Sequence, residues 1–515
     1  MRRRTALATG LSAAVLAAAP LALLASTPAQ AAPVATTTNA CLTSVPDPGS
    51  SAPAKICYTL FKPAGASAKS RVPMLLHSHG WGGSRTTEAA SFQKFLDAGY
   101  GVLSFDQRGF GESGGTAYVE NPTVEGHDVR ALVTLVSKLS WVRQDGPGDP
   151  RIGAIGGSYG GGYQFLAAFE ELRVTGKQIF DALAPEITWN DLRTSLAPND
   201  VTRGEWALAL SAASLPSQAL PQEVYEALVE GVATGNWPDG SGPTAKNLDK
   251  FFAKNGPSWH VAQGRKLDIP VLFGQGTTDS LFDLREGLTN WRTAITDRAR
   301  RHSIFVGYNG GHVLPSLLPR GLSVSSDPCS EKLGGGSFQD LSLRFFDETL
   351  KGKKTGLKGW GRYHLATPAE TCTTVDTVAA DTVRDAGTIA TTTAAGAPLA
   401  FEVAKGPIRI AGSPHLVADL TTLVPGSRAF YGLGIGTSPV DAELVQGNVL
   451  PINVADAVSG KRTRIDLPAV AVDVPEGKSL FVIASALSDS FVGMGSRTPG
   501  AVLLEHTKVH LPVVD

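Results

Sequence analysis

The chain has 515 residues, of which 42% are hydrophobic and 18% are charged. This composition is typical of globular proteins, and the length exceeds what one hydrophobic core normally supports, so two or three domains are expected. The 46 basic and 47 acidic residues give a formal net charge of -1. That balance argues against binding to nucleic acid or to an anionic membrane surface.

The N-terminal segment has the three parts of a secretory signal peptide. Arginines at residues 2–4 precede an apolar stretch at residues 11–24, and Ala-Gln-Ala at residues 29–31 fits a cleavage site. We predict that residues 1–31 are removed and that the mature protein is secreted. The paired arginines leave general and twin-arginine export both open. No later apolar run reaches the length of a membrane span, so none is expected in the mature chain.

Four cysteines in an exported chain indicate disulfide bonds, although four cysteines allow three different pairings. Cys41 and Cys57 lie close in sequence, as do Cys329 and Cys372, and this proximity favours those two pairs. Residues 32–55 are interpreted as an N-terminal tail that is held by Cys41. Neither a C-x-x-C spacing nor a Cys/His cluster occurs, so a zinc site is not expected.

From residue 56 onward, apolar strand patterns alternate with amphipathic helix patterns. Strands are predicted at residues 56–61, 72–79, 100–105, 152–155, 182–187, 269–273 and 302–306. Helices are predicted at residues 87–98, 124–139 and 338–350, with another that begins near residue 163. This alternation indicates an α/β fold over residues 56–374, with a mostly parallel sheet covered on both faces. Functional residues in such sheets lie at the carboxyl ends of the strands.

The alternation stops between residues 188 and 266, where helices are predicted at residues 205–214 and 222–233 and no clear strand occurs. We predict that residues 188–266 form a helical cap over the carboxyl edge of the sheet. Trp189, Trp206, Trp237 and Trp259 fall in this segment. Packing inside the cap is the simpler interpretation of each tryptophan, although together they could line an apolar pocket.

The composition changes after Cys372. Threonine and alanine dominate residues 375–393, which are interpreted as a linker. Strand-like alternation without a helical period follows near residues 401–403, 408–410, 416–420, 430–435, 463–467, 479–483 and 502–509. We predict that residues 394–515 form an all-β sandwich.

The most informative stretch is Gly-Gly-Ser-Tyr-Gly at residues 156–160, which fits the pattern G-x-S-x-G. It follows a buried strand and precedes a helix, which is the context of a nucleophile elbow. The alternative is a glycine-rich loop with an incidental serine. The flanking strand and helix favour the elbow, so Ser158 is the predicted nucleophile. The backbone N–H of Tyr159 then faces the charge that develops on an attacked carbonyl and is a predicted oxyanion donor.

A serine nucleophile needs a base, and the base needs an acid that orients it. After an elbow of this kind the acid precedes the histidine in the chain. Asp279 and His312 each follow a glycine turn at the carboxyl end of a predicted strand, and we predict them as acid and base. Asp283 is the rival acid, but it lies where a helix should already have begun. His302 lies at the wrong end of its strand.

Gly-Trp-Gly-Gly at residues 80–83 follows the strand that ends at His79, where a second oxyanion donor is expected. The N–H of Trp81 is the predicted donor. His77 and His79 share a strand face, but no third ligand is in view, so neither a metal nor another cofactor is expected. The pattern G-x-G-x-x-G at residues 109–114 opens no helix, which argues against a dinucleotide site.

Six motifs can be considered together. They are Asp-Gln-Arg-Gly-Phe-Gly-Glu-Ser-Gly at residues 106–114, Asp128 and Trp141 ahead of Arg-Ile-Gly at residues 151–153, the elbow around Ser158, the strand and turn at residues 270–279, Gly-Gly-His at residues 310–312, and Phe-Phe-Asp-Glu-Thr-Leu-Lys-Gly at residues 345–352. In combination they resemble the X-Pro dipeptidyl-peptidase and cocaine-esterase-like acyl hydrolases.

The resemblance implies an α/β-hydrolase core, a helical cap and a C-terminal jelly-roll domain. It places the nucleophile, acid and base at Ser158, Asp279 and His312. Family members often supply a tyrosine hydroxyl to the oxyanion where this chain has Trp81. The β-domain is also short for the family.

The leading function is therefore a secreted serine hydrolase that acts on a small-molecule ester or peptide through an acyl-enzyme. Two alternatives stay open. One is a polymer-surface esterase or lipase in which the β-domain is a docking module, and the other is a non-catalytic binding protein on a hydrolase scaffold. The sequence gives no indication of the oligomeric state.

Ester and peptide substrates make different demands on the site. Cleavage of an X-Pro end requires a free amino terminus to be held, usually by a carboxylate. Glu170 and Glu171 are about three helical turns from Ser158 and are interpreted as solvated surface residues. The sequence cannot place the acids in and near the cap, which include Glu186, Asp191 and Glu205. An ester needs only an apolar pocket beside the triad, so the residues favour esters whereas the resemblance favours peptides.

Overall fold

The structure is a computed structural model that describes residues 35–312, 326–393, 396–492, 496 and 499–514. The predicted signal peptide at residues 1–31 lies outside the described residues. Across the described ranges, no helix is long and apolar enough to cross a membrane.

One large mixed β-sheet organises the first part of the chain. The strands of this part are β1 (Thr36–Pro46), β2 (Pro53–Lys62), β3 (Met74–Ser78), β4 (Gly101–Phe105), β5 (Gln144–Gly146), β6 (Asp149–Pro150), β7 (Ile152–Gly157), β8 (Ala182–Glu186), β9 (Leu272–Gly276), β10 (Ile304–Tyr308), β11 (Tyr363–Ala366) and β12 (Cys372–Val375). Within the described residues the sheet order is β1-β2-β4-β3-β7-β8-β9-β10-β11-β12, and β5 pairs with β6 separately. The strands from β4 to β11 in this order are parallel, whereas β1, β2 and β12 join by antiparallel pairing.

Helices cover both faces of this sheet, as predicted. The helices of this part of the chain, including those of the cap, are α1 (Gln93–Asp97), α2 (Glu125–Ser137), α3 (Tyr159–Thr175), α4 (Leu192–Leu196), α5 (Gly204–Ser214), α6 (Gln222–Thr234), α7 (Leu248–Phe252), α8 (Pro257–Ala262), α9 (Leu284–Thr293), α10 (Asp297–Arg301), α11 (Pro328–Lys332) and α12 (Phe338–Thr349). One apolar core lies between the sheet and α2, α3 and α9, and a second lies between the sheet and α1 and α12. The strands therefore have near-continuous apolar sequences because both of their faces are buried.

Between β8 and β9 the chain forms the predicted helical cap, from α4 to α8. Its own apolar core contains three of the four cap tryptophans, Trp189, Trp206 and Trp237. Tyr159 and Phe282, which belong to turns at the carboxyl edge of the sheet, are part of the same core. The cap is thus packed directly onto the edge at which the predicted site residues lie.

The N-terminal segment differs from the predicted tail, because most of residues 36–46 are paired in the sheet as β1. Cys41 lies directly opposite Cys57 in the β1–β2 register, and the two are joined by a disulfide. Cys329 and Cys372 form the second disulfide, so both predicted pairs are confirmed. The strand was not recognisable because it is an edge strand with a largely exposed, threonine-rich sequence, and backbone hydrogen bonds rather than apolar periodicity hold it.

The C-terminal part is all-β, as predicted. Its strands are β13 (Thr382–Thr392), β14 (Leu399–Lys405), β15 (Ile408–Gly412), β16 (His415–Thr422), β17 (Ser427–Gly436), β18 (Glu443–Leu444), β19 (Leu450–Val454), β20 (Val458–Asp466), β21 (Val470–Val474), β22 (Ser479–Ser485), β23 (Ala501–Leu511) and β24 (Val513–Val514). They pair antiparallel in three sheets around one apolar core. The chain therefore has an α/β-hydrolase fold with a helical cap, followed by an all-β domain.

The predicted linker at residues 375–393 is wrong for most of its length. Residues Thr382–Thr392 form β13, which pairs along its whole length with β23. Only a few of its side chains, such as Ile389, face the core, and the others are exposed or half-buried. A strand with so few buried apolar positions lacks the alternation on which the sequence prediction depended.

Candidate active site

Ser158 lies on the sharp turn between β7 and α3. Its backbone has φ 58° and ψ -121°, a conformation that residues other than glycine rarely adopt. The glycines on either side are required by close packing. A Cβ on Gly156 would lie 2.6 Å from the Gly160 carbonyl oxygen, and a Cβ on Gly160 would lie 2.3 Å from the Ser78 carbonyl oxygen. The stretch therefore folds as the predicted elbow, with Ser158 at its tip.

Ser158, His312 and Asp279 are connected by one line of hydrogen bonds. The distance from His312 Nε2 to Ser158 Oγ is 2.8 Å, and the distance from His312 Nδ1 to Asp279 Oδ2 is also 2.8 Å. With a proton on Nδ1, the ring donates to Asp279 and accepts the Ser158 hydroxyl at Nε2. The three residues follow β7, β9 and β10, whose carboxyl ends share one edge of the sheet.

The Asp279 carboxylate is fully buried and is fixed at both oxygens. Oδ2 faces His312, whereas Oδ1 accepts backbone N–H bonds from Leu281 at 2.8 Å and Phe282 at 3.0 Å. Asp283, the rival acid, has a different role: it caps α9 and accepts the Arg285 N–H at 3.0 Å. The structure thus brings Asp279 to the histidine and places Asp283 at a helix end.

The His312 ring is held between two aromatic side chains. Trp206 of α5 lies edge-on to it with 5.6 Å between ring centroids, and Phe282 lies edge-on at 5.3 Å. These contacts restrict rotation of the ring away from Ser158 Oγ. The sequence identifies Trp206 only as a cap tryptophan and does not identify Phe282, because no local pattern connects either residue with a histidine further along the chain.

Two backbone N–H groups lie beside Ser158. The Tyr159 N–H begins α3 directly after the serine, and Trp81 follows Gly80, on which a Cβ would lie 3.8 Å from Ser158 Cβ. Among the described residues, neither N–H has a hydrogen-bond acceptor. The Trp81 indole is occupied, since its Nε1 donates to the Leu210 carbonyl oxygen at 2.9 Å. The Trp81 side chain is therefore already engaged, whereas its backbone N–H has no acceptor among the described residues.

His79 fixes the loop that carries Trp81. His79 Nδ1 is 2.8 Å from the Gly80 carbonyl oxygen, and the Gln107 N–H donates to His79 Nε2 at 3.1 Å. Both ring nitrogens are thus engaged by the backbone. His77 contacts Ser104 Oγ through Nδ1 at 2.9 Å, and burial lowers the pKa of His77 to about 3. In the part of the chain that the structure describes, no group of three or more His, Cys, Asp or Glu side chains could hold a metal ion.

Ser158 opens into an apolar cavity of about 50 Å³. Its walls come from the cap and from the loops that follow β3, β4 and β9. The residues that line it are Trp81, Val119, Ser158, Tyr159, Trp189, Leu192, Leu196, Ala207, Leu210, Leu220, Leu228, Phe252, Leu281 and Phe282. This described lining contains no charged side chain. Such a cavity can desolvate a short apolar group bonded to the carbonyl that Ser158 would attack.

The prediction that Glu170 and Glu171 are solvated is wrong. Both side chains are buried, because α3 packs against α2 and α8 as well as the sheet. Glu170 accepts two hydrogen bonds from Arg173, each of 2.7 Å, and Glu171 lies 3.6 Å from the Arg130 guanidinium. These acids are therefore engaged in ion pairs inside the fold and do not line the cavity at Ser158.

The other acids named from the sequence also lie outside the described lining of the cavity. Glu186 accepts a hydrogen bond from the Tyr308 hydroxyl at 3.3 Å, and burial raises the pKa of Glu186 to about 7. Asp191 caps α4, where it accepts the Arg193 N–H at 3.0 Å. Glu205 lies in the first turn of α5.

Two residues of the motif at residues 106–114 have structural roles. Arg108 is buried and donates two hydrogen bonds to Asp128, of 2.9 and 2.6 Å, and one of 2.8 Å to Asp47. It thereby ties the N-terminal segment to α2. Asp106 accepts a hydrogen bond from the backbone N–H of Arg85 and forms an ion pair with the guanidinium of the same arginine. The motif thus forms the loop after β4 and anchors it to its neighbours.

A family model described as X-Pro dipeptidyl-peptidase (S15 family) matches residues 54–313. The matched range is about half of the chain and includes Ser158, Asp279 and His312. The chain belongs to this family. The resemblance that the motifs indicated is therefore confirmed.

The S15-family chain is also similar to solved structures over almost its whole length. A CocE/NonD family hydrolase from Staphylococcus aureus has a TM-score of 0.62 and 12% identity, and the match covers 92% of this chain and 97% of that one. An aminopeptidase from a marine sediment archaeon, Thaumarchaeota archaeon, has a TM-score of 0.63 and 15% identity, with 93% and 96% covered. At these identities the likeness is one of fold, and it includes the cap and the β-domain.

Curated relatives match shorter stretches of this S15-family chain. It is 35% identical over 104 residues to an uncharacterized 31.7 kDa protein in the traX-finO intergenic region of Escherichia coli, and the match covers 20% of the chain and 34% of the relative. It is 28% identical over 172 residues to the uncharacterized protein YcjY of Escherichia coli strain K12, with 29% and 53% covered. The chain thus spans between a third and about half of the length of these relatives.

Proposed function

We propose that this protein is a serine hydrolase that cleaves acyl ester or peptide bonds, with Ser158 as nucleophile, His312 as base and Asp279 as orienting acid. The observation that carries the proposal is the unbroken hydrogen-bond line from Ser158 Oγ through the His312 ring to Asp279, at the edge of an apolar cavity. Membership of the S15 family supports the same class of reaction.

The geometry supports a two-step acyl transfer. Ser158 Oγ attacks the substrate carbonyl carbon while its proton passes to His312 Nε2, and the buried Asp279 carboxylate stabilises the imidazolium that forms. His312 then gives the proton to the departing alcohol or amine, which leaves an ester on Ser158. A water molecule, deprotonated by the same histidine, hydrolyses that acyl-enzyme and restores the serine.

The negative charge of each tetrahedral intermediate needs hydrogen-bond donors that are already in place. We assign this role to the backbone N–H groups of Tyr159 and Trp81, which flank Ser158 and have no acceptor among the described residues. The Tyr159 N–H also lies at the N-terminus of α3, where the helix dipole favours negative charge. Both donors are held by rigid neighbours, α3 on one side and the His79-anchored loop on the other.

The cavity favours short apolar acyl groups. Its walls are aromatic and aliphatic, and its volume of about 50 Å³ leaves little room for a long chain. A substrate with a free amino terminus would bring an ammonium ion to a described lining that contains no charged side chain, and an unpaired buried charge is costly. We therefore propose short-chain esters as the preferred substrates and X-Pro peptides as the weaker ones.

The arrangement of the site also bears on the alternative functions. A binding protein on a hydrolase scaffold has no need of a serine, a histidine and a buried aspartate at 2.8 Å spacings, so these distances favour catalysis. We further propose that the protein acts outside the cytoplasm. Its two disulfides, Cys41–Cys57 and Cys329–Cys372, are of the kind that persist in oxidising compartments.

The test combines covalent labelling with a substrate panel on the chain from residue 32. A fluorophosphonate probe should label Ser158, identified by peptide mass spectrometry, and Ser158→Ala should not be labelled. The wild type should hydrolyse p-nitrophenyl acetate and butyrate faster than p-nitrophenyl octanoate or an aminoacyl-proline anilide. Ser158→Ala should lose several orders of magnitude in kcat. Labelling of a different serine, or full activity of the alanine variant, would refute the proposal.

A further inference from the structure

The all-β domain reaches the residue that orients His312. Asn448 lies in the connection between β18 and β19, directly after a short 3-10 turn at Val445–Gly447. Its Nδ2 donates a hydrogen bond of 3.0 Å to the backbone carbonyl oxygen of Asp279. The asparagine side chain and Asp279 are both buried, with exposed fractions of 6% and 0%. This contact joins positions that are 169 residues apart in the chain.

The hydrogen bond completes the fixation of Asp279. The carboxylate is held by the N–H groups of Leu281 and Phe282, but these lie on the same turn and can move with it. Among the described residues, Asn448 is the one donor to the Asp279 carbonyl oxygen. Without it, a buried carbonyl would lose its partner, which is costly in a water-excluded site. The turn would then gain freedom to shift relative to His312.

Packing of the two domains places Asn448 at this position. The next residue, Val449, belongs to a small buried cluster with Phe430 and Phe491 of the β-domain and Val201 at the start of the cap. Nearby, Asn199 Nδ2 donates to the Pro451 carbonyl oxygen at 2.7 Å. The amide of Asn448 is therefore carried by a rigid part of the interface, rather than by a loose loop tip.

We propose that Asn448 is a positioning residue for the reaction, which acts through the backbone of Asp279 and makes the β-domain a structural part of the active site. This inference rests on the proposed catalytic role of Asp279. It assigns to the β-domain a function that differs from docking to a polymer surface. A carboxylate that is held only from its own turn would sample positions too far from His312 Nδ1, and small misplacements of catalytic groups reduce turnover strongly.

The main variant replaces the side-chain amide of Asn448 with an apolar group of similar size. Asn448→Leu removes the donor without adding charge, Asn448→Gln retains a donor on a longer arm, and Asn453→Ala, on β19 at the same interface, is the control. Each enzyme is titrated with the fluorophosphonate probe, so that kcat refers only to sites that are folded and reactive. Turnover of p-nitrophenyl butyrate is then measured from pH 5 to pH 9, together with the melting temperature.

We expect Asn448→Leu to lower kcat per titrated site by roughly 10- to 100-fold, with KM changed by less than about twofold. We also expect the acid limb of its kcat/KM profile to move to lower pH, because a displaced carboxylate stabilises the His312 imidazolium less. Asn448→Gln should recover part of both effects, and Asn453→Ala should resemble the wild type. A purely structural role would reduce the number of titrated sites and leave the pH profile unchanged.

An Asn448→Leu enzyme with wild-type kcat per site and an unshifted profile would overturn the inference and leave the proposed function intact. Should that variant fail to fold, Asn448→Ala, which leaves space instead of filling it, is judged by the same two readouts. A wild-type protein that neither reacts with the probe nor hydrolyses any ester would overturn the proposed function, and the positioning role with it.

Discussion

Trp206, on a helix of the cap, lies edge-on to the ring of His312, with 5.6 Å between their centroids. The same tryptophan donates from Nε1 to Ser280 Oγ at 3.0 Å, and Ser280 in turn donates from its backbone N–H to the His312 carbonyl oxygen at 3.2 Å. The cap is thereby joined to the turns that follow β9 and β10. The proposed base is thus held by the cap as well as by the sheet that carries it.

Asp279 and its neighbour Asp283 provide a matched pair for testing the proposed acid. Asp279→Asn should lower kcat by roughly 10⁴-fold, because an amide at this position favours the wrong tautomer of His312. Asp283→Asn should keep most of the activity, since asparagine also caps a helix and Asp283 caps α9. Steady-state kinetics on p-nitrophenyl butyrate give both values. Equal losses in the two variants would remove the distinction on which the assignment depends.

Trp81 tests whether the second oxyanion donor is a backbone or a side-chain group. Trp81→Phe keeps the backbone N–H and an aromatic ring, and it removes the indole hydrogen bond to the Leu210 carbonyl oxygen. We expect kcat to stay within about tenfold of the wild type. Loss of one oxyanion donor usually costs 10²- to 10³-fold in kcat. A loss of that size, with the melting temperature unchanged, would show that the indole itself acts on the substrate.

Leu196 provides a test of the size of the acyl cavity. It is buried in the cavity wall, so Leu196→Ala should make room for longer acyl chains. We expect the ratio of kcat/KM for p-nitrophenyl octanoate to that for the acetate to rise by about tenfold, given roughly 0.8 kcal/mol for each newly buried methylene. Both substrates are measured on the same preparation. A smaller folded fraction of the variant therefore lowers both rates equally and leaves their ratio unchanged. Leu208→Ala, at a position on α5 that is 48% exposed, should leave the ratio unchanged.

The sequence was most informative at the nucleophile, where the packing of the backbone and the catalytic role depend on the same few residues. Ser158 could be predicted because its turn admits only glycine at Gly156 and Gly160, and this requirement is visible in five consecutive residues. Asp279 and His312 could be predicted from their order in the chain and from their positions directly after predicted strands. The structure brings the carboxyl ends of those strands to one edge of the sheet.

Other parts could not be predicted, for physical reasons. Asn448 and Trp206 reach the site through contacts between distant segments, and such contacts leave no period or motif in either segment. The strands β1 and β13 are largely exposed, so hydrogen bonding to a neighbour defines them and apolar alternation does not. Glu170 resembled a surface acid because the burial of its helix face depends on α2 and α8, which pack there only in the folded chain.

His260 provides the last prediction, which concerns stability against pH. Its ring is buried and stacks on Phe169 with 4.6 Å between centroids, and burial together with the nearby Arg265 and Arg173 lowers the pKa of His260 to about 3. Glu170 lies 4.0 Å from Nε2, but both of its oxygens already accept hydrogen bonds from Arg173. The ring therefore stays neutral in the folded protein at pH values where an unfolded histidine is protonated.

Because the pKa of His260 is lower in the folded state, its contribution to stability is present above about pH 6.5 and is lost as the pH falls toward 3. The free energy of unfolding should decrease by roughly 2 kcal/mol from this group between pH 7 and pH 5. His260→Phe keeps the stacked ring without a titrating group, so its decrease should be smaller by that amount. His302→Gln, at an exposed position that ends α10, is the control and should keep the wild-type decrease. Urea denaturation at pH 7 and pH 5 measures the free energy of unfolding of each variant. If that free energy falls as much in His260→Phe as in the wild type, the buried imidazole does not cause the acid sensitivity.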